Sequence, residues 1–137
     1  MKIEWDDLDD RAVVTVPACP EGGLWTLVRT QLVAPAVIRI DASGIWRLAP
    51  DLPECGADGL RHWIYGRDLL LTKKAPPGAL IGKYGGSCSA ADEADIFIVG
   101  SATVLLLEKA IGPLYLTING APMHFASHQG QLTVRLR

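Results

Sequence analysis

The chain is 137 residues long, with 13 Lys and Arg against 15 Asp and Glu, a formal charge of −2 and 49% hydrophobic residues. That length supports one domain with a sizeable core that needs no disulfide or metal staple. The near-neutral balance supplies no net drive toward phosphate backbones or anionic lipid, so nucleic acid is not an expected partner.

Five acids stand among the first ten residues, Met1 to Asp10, where a signal peptide would need a basic end and an apolar run. The expectation is an acidic extension over 1–10, then a single domain over 11–137, in the cytoplasm. The strongest apolar runs, Leu69–Leu71 and Val104–Leu107, fall far short of the roughly 20 residues of a membrane helix. Cys19, Cys55 and Cys88 are an odd number without CxxC spacing, which favours free thiols over a disulfide framework or a zinc knuckle.

Period-2 alternation and β-branched runs predict strands over Arg11–Val16, Leu24–Thr30, Val37–Ala42, Ile96–Gly100, Thr103–Leu107, Leu114–Asn119 and Gln131–Arg137. Val37–Asp41 and Leu132–Leu136 alternate cleanly, as half-buried antiparallel strands do. Thr103–Leu107 is apolar on both parities and predicts a strand covered on both faces. With 14 Gly and 9 Pro to supply turns, the pattern is that of an all-β sandwich of two antiparallel sheets with about 7–9 strands. Between Leu48 and Ala79, closely spaced Pro and Gly predict a long decorated loop, and connections of that length often carry a site. Trp46 is read as a core residue at a strand end.

No nucleophile elbow, Walker loop, dinucleotide fingerprint or HExxH occurs, and no paired carboxylates stand out for glycoside cleavage. The chain is not expected to be an enzyme. Gly82-Lys83-Tyr84-Gly85-Gly86-Ser87 lacks phosphate-loop spacing and reads as a turn after a strand. His124 and His128, four apart between Pro122 and Gly130, form an incomplete metal set without a neighbouring carboxylate or thiolate and read as solvent-facing loop histidines. Trp63 and Tyr65, beside Asp51, Asp58, Arg61 and His62, offer ring faces and hydrogen-bonding groups suited to a sugar.

Three segments in order carry a family pattern: Val37-Ile38-Arg39-Ile40-Asp41-Ala42-Ser43-Gly44-Ile45-Trp46; Gly78-Ala79-Leu80-Ile81-Gly82-Lys83-Tyr84-Gly85 with Phe97-Ile98-Val99-Gly100; and Gly112-Pro113-Leu114-Tyr115-Leu116-Thr117-Ile118-Asn119 closing on Gly130–Leu136. From about Val14 to the C-terminus the chain resembles the PA-IL-like, calcium-dependent galactose-binding bacterial lectins and the wider galactose-binding-like β-sandwich domains. The resemblance implies a jelly-roll-like sandwich and a strand over the Gly-Ala-Leu-Ile-Gly segment. In those lectins the loop after the strand ending in Asn continues with Asp and closes with Asn-Asn before Ser-Gly, supplying calcium oxygens. Here Gly120 follows Asn119, and Ser127-His128 stands in place of Asn-Asn. Calcium takes six to eight oxygen ligands, carboxylates prominent among them, so no cofactor is expected, the calcium of the family included.

The expected function is a non-catalytic, lectin-like carbohydrate-binding module independent of calcium. Its candidate ligand-binding residues are Asn119, His124, His128, Gln129, Asp58, His62 and Trp63. The alternative is a structural or assembly protein that has lost its sugar site and uses the sandwich for protein contacts through Leu105, Leu107 or Trp5. Either way a homo-oligomer is the expected state.

Overall fold

The computed structural model describes residues 13–29, 36–62, 67–85, 87, 96–108 and 112–136. The described residues form eight strands: β1 (Val13–Pro17), β2 (Thr26–Arg29), β3 (Ala36–Arg47), β4 (Leu80–Tyr84), β5 (Ile96–Ile98), β6 (Ala102–Leu107), β7 (Leu114–Ile118) and β8 (Gln129–Leu136). They form two four-stranded antiparallel sheets, in the orders β1-β8-β3-β6 and β2-β7-β4-β5. This is the all-β sandwich that the alternation predicts.

The register of the first sheet follows from its hydrophobic pattern, since a one-residue slip would turn every apolar side chain outward. Ala42 lies opposite Val134, Gly44 opposite Leu132 and Ile40 opposite Leu136, which stacks Ile40, Leu132, Val134 and Leu136 into the core. Arg39, Asp41, Thr133 and Arg135 face outward. β3 runs on past Ala42, where the alternation ends, and delivers Trp46 into the core with its indole N–H donating to the Gly78 carbonyl at 2.7 Å.

The second sheet departs from the expectations in an informative way. β4 does not alternate, because all of Leu80, Ile81, Gly82 and Lys83 are buried; the alternation rule therefore misses it, whereas the family resemblance includes it. Lys83 is inside this strand, not in a turn, with its ammonium over the Trp25 ring at 4.8 Å and donating to the Ser87 carbonyl at 2.7 Å. Gly82 pairs with both Leu116 and Phe97. A Cβ there would lie 2.6 Å from Phe97 Cζ and 2.9 Å from Leu116 Cδ2. Phe97 covers the glycine and meets the Tyr84 ring at 4.9 Å between centroids, the arrangement by which an aromatic shields a strand glycine.

β6 corrects a second expectation. Only Leu105 and Leu107 are buried; Val104 and Leu106 face solvent. The strand is covered on one face because only its inner side meets the opposite sheet, and nothing among the described residues lies over its outer side. Leu105 and Leu107 therefore belong to the core and are not surface for a partner, while Trp5 lies outside the described residues. Cys19 is exposed and Cys55 buried, both free, with burial pushing the Cys55 thiol up to about 11; Cys88 lies outside the described residues. No helix among those residues is long and apolar enough to cross a membrane.

The close packing over Gly82 generates a prediction. Gly82→Val forces Phe97 and Leu116 apart and should lower unfolding stability by about 1–3 kcal/mol, read as a reduced urea midpoint with unchanged slope.

Candidate sugar-binding pocket

Three chain segments meet at the end of the sandwich where β3 finishes and β8 begins, and a single side chain ties two of them together. Asn119 follows β7 and is completely buried. Its backbone N–H donates to the Ala79 carbonyl at 2.8 Å, and its carbonyl accepts from the Gly78 N–H at 2.9 Å. Its side-chain Oδ1 accepts from the Thr72 N–H at 3.1 Å. Its Nδ2 donates to the carbonyls of Thr72 and Ala75 at 3.0 Å and of Pro76 at 3.1 Å. An amide has two donors and one acceptor oxygen to offer, and here all are spent on the loop from Thr72 to Pro76.

Beyond Gly120 the chain makes a 3-10 turn over Pro122–Ser127. Proline at its start suits an N-terminal position whose N–H has no intrahelical partner. Phe125 faces inward and meets the His128 ring at 4.4 Å. His128 is buried, contrary to the solvent-facing reading, because its Nδ1–H donates to the Ala18 carbonyl at 2.9 Å. That bond sets the tautomer, leaving Nε2 as an acceptor. Burial holds its pKa below the ordinary imidazole value, the Ala18 bond opposes this, and the neighbouring His124 adds to the lowering. The imidazole packs onto Gly120: a Cβ there would overlap His128 Cε1 and lie 2.7 Å from Nε2.

These segments enclose an open pocket of about 530 Å³. Leu48 and Leu52 after β3, Leu69 and Leu70 from the turn before β4, and Pro77 and Ala121 form an apolar wall. Asp51, His124, Ser127 and His128 contribute the polar groups. Such a mixture, mostly apolar with a few directional hydrogen-bonding groups, is the usual make-up of a small-molecule site of this size. Among the described residues no three His, Cys, Asp or Glu side chains cluster as a metal set.

Of the seven sequence candidates, His124 and His128 come together in this pocket. Asn119 lies behind it as the loop clamp. Gln129 lines a separate, smaller groove of about 300 Å³ with Ile45, Arg47 and Glu54. Asp58 holds the turn between the two sheets: its carboxylate accepts from the Ser101 N–H at 2.9 Å and the Ser101 hydroxyl at 3.1 Å, and pairs with Arg61 at 3.3 Å. The Ser101 backbone bond foremost holds its carboxyl below the usual range. His62 is exposed and is not part of the pocket lining. Trp63 and Tyr65 lie outside the described residues. Sequence reasoning missed the apolar wall, although the Leu69–Leu71 run inside a Pro- and Gly-rich stretch is the signal that marks it.

No family model matches the chain, and no curated protein matches it. Among solved structures, "EclA N-terminal domain; PllA-like lectin" superimposes with a TM-score of 0.64 at 19% identity, covering 90% of this chain and 92% of that one. The fold is thus that of the PA-IL-like lectins, as the three sequence segments imply.

Two measurements check the local account. Asn119→Ala leaves the Thr72 N–H and up to three carbonyls without partners and should cost about 3 kcal/mol or more in chemical denaturation. In the unfolded chain the His128 imidazole titrates near 6.5 and in the folded chain lower. Between those values the unfolded state binds more protons, so stability rises with pH and is lost as pH falls through about 6.5. The denaturation midpoint should drop between about pH 7.5 and pH 5.5, and His128→Gln should remove that part of the dependence.

Proposed function

We propose that the chain is a non-catalytic carbohydrate-binding module whose ligand enters the pocket between Leu48, Leu70, His124 and Ser127. The observation that carries this reading is the pocket itself, a concave site of about 530 Å³ with a few polar groups in a mostly apolar lining, built on a fold that a PllA-like lectin shares. Asp51 and Ser127 offer oxygens to hydroxyl hydrogens, and His124 can donate to or accept from a ring hydroxyl. The leucines suit the apolar face of a pyranose.

Binding is calcium-independent in this reading. The family's ion needs an acid next to the Asn at the end of β7, and this chain has Gly120, whose side-chain space His128 fills. The Asn119 amide is committed to the 72–76 loop. The 119–130 segment holds no carboxylate, which leaves a poor set for a hard cation.

Titration with galactosides and a wider glycan panel, with and without chelator, tests this. Saturable binding that survives chelation is expected. Asp51→Asn and His124→Ala should each weaken it about tenfold or more, the effect of losing one good hydrogen bond to ligand, with an unchanged melting temperature. Absence of binding to every sugar at millimolar concentration, or binding that vanishes with chelator, would overturn it.

A further inference from the structure

The loop that follows β3 divides its charges between two sites. The Leu52 N–H donates to the Ala49 carbonyl at 3.0 Å, closing a turn whose middle residues are Pro50 and Asp51. Proline at the second position of such a turn fixes its φ in advance. Arg47 fastens the turn further, donating to the Pro50 carbonyl at 3.1 Å and to Glu54 Oε1 at 2.9 Å. Arg47 and Glu54 both line the smaller groove beside Gln129, so this cation and this anion satisfy each other outside the larger pocket. Ala49, Asp51 and Leu52 line the larger pocket. The other acids between Leu48 and Ala79 are Glu54, Asp58 and Asp68, and each is ion-paired, with Arg47, Arg61 and Lys73 in turn. Among the described residues the Asp51 carboxylate has neither a hydrogen bond nor an ion pair. The described lining of its pocket contains no lysine or arginine. Of the two histidines there, His128 favours its neutral form because burial lowers its pKa. A formal negative charge therefore stands uncompensated beside a wall of leucines.

We infer, on the basis of the carbohydrate reading above, that the pocket selects an amino sugar with a free, protonated amine, and that Asp51 recognises that group. A carboxylate accepts hydrogen bonds and donates none, so it takes either a hydroxyl hydrogen or an ammonium, and the charge-assisted bond to the ammonium is the stronger. An ammonium has further N–H donors to place. Ser127, which lines the same pocket, can accept one of them. The apolar wall limits water around the pair, which strengthens a charge interaction relative to open solvent. The turn adds preorganisation, because a carboxylate carried on a closed, proline-fixed loop loses little freedom on binding. Asp51 is nevertheless solvent-exposed, so the pair gives a several-fold preference and not one of orders of magnitude. N-acetylation converts the ammonium into a neutral amide and removes the pair. A uronic acid brings a second carboxylate toward Asp51, and like charges repel. The order of affinity is then amine, neutral sugar, acid.

Calorimetric titration of the full chain with galactosamine and glucosamine, each beside its N-acetyl form, its neutral parent and its uronic acid, tests this. The free amine should bind about fivefold tighter than the neutral parent, N-acetylation should remove that gain, and the uronic acid should bind more weakly than the parent. In Asp51→Asn the amine and its parent should bind within about twofold of each other, whatever the variant does to sugar affinity as a whole. Asp51 is exposed and holds no other group of the fold, so the melting temperature of the variant should hold. An amine that binds no tighter than its parent or its N-acetyl form overturns the proposal, as does a uronic acid that binds as tightly as the parent. So does a preference for the amine that survives in Asp51→Asn. Each of these results leaves the carbohydrate reading standing, whereas absence of binding to every sugar overturns both.

Discussion

The Asn119 carboxamide is the interaction on which the pocket end of the molecule depends. It sits at the exit of β7, the strand with both faces buried, and its hydrogen bonds run to a loop 43 to 47 residues earlier. Loops are ordinarily the soft part of a sandwich, since their backbone groups look to water for partners. Here three loop carbonyls and one N–H find a buried amide instead, and Leu71 adds a bond from its N–H to the Gly120 carbonyl at 3.1 Å. Leu70, Pro77 and Ala121, which line the pocket, adjoin the residues that those bonds join. The pocket is therefore part of the folded core's hydrogen-bond accounting, because a buried amide left without partners costs more than the bonds themselves contribute.

Gly120 and His128 form a second dependency. The imidazole lies where any side chain at 120 would begin, and it is fixed from behind by the Ala18 carbonyl and from the side by Phe125. A side chain at position 120 would collide with that ring, so the two positions act as one unit. Burial outweighs the Ala18 bond and lowers the pKa of His128, which favours its neutral form.

The strands were legible where one face is solvated. β3 and β8 alternate, and their register follows from the alternation; the sequence also marks β1, β2, β5 and β6, and it marks β7, buried on both faces like β4, by an apolar and β-branched run bounded by Pro113 and Gly120. β4 was invisible to the same rule, because a strand buried on both faces has no period to detect, and only the ordered Gly-Ala-Leu-Ile-Gly pattern revealed it. Site residues were harder for a different reason. Asn119 and Asp58 are polar, loop-borne and near glycines, the features expected of ligand-binding groups, yet both serve the backbone of distant segments. Sequence shows that a side chain can make hydrogen bonds but not whether the fold has already consumed them. The apolar wall was missed because leucines in a loop read as ordinary packing until three segments are seen to share one opening.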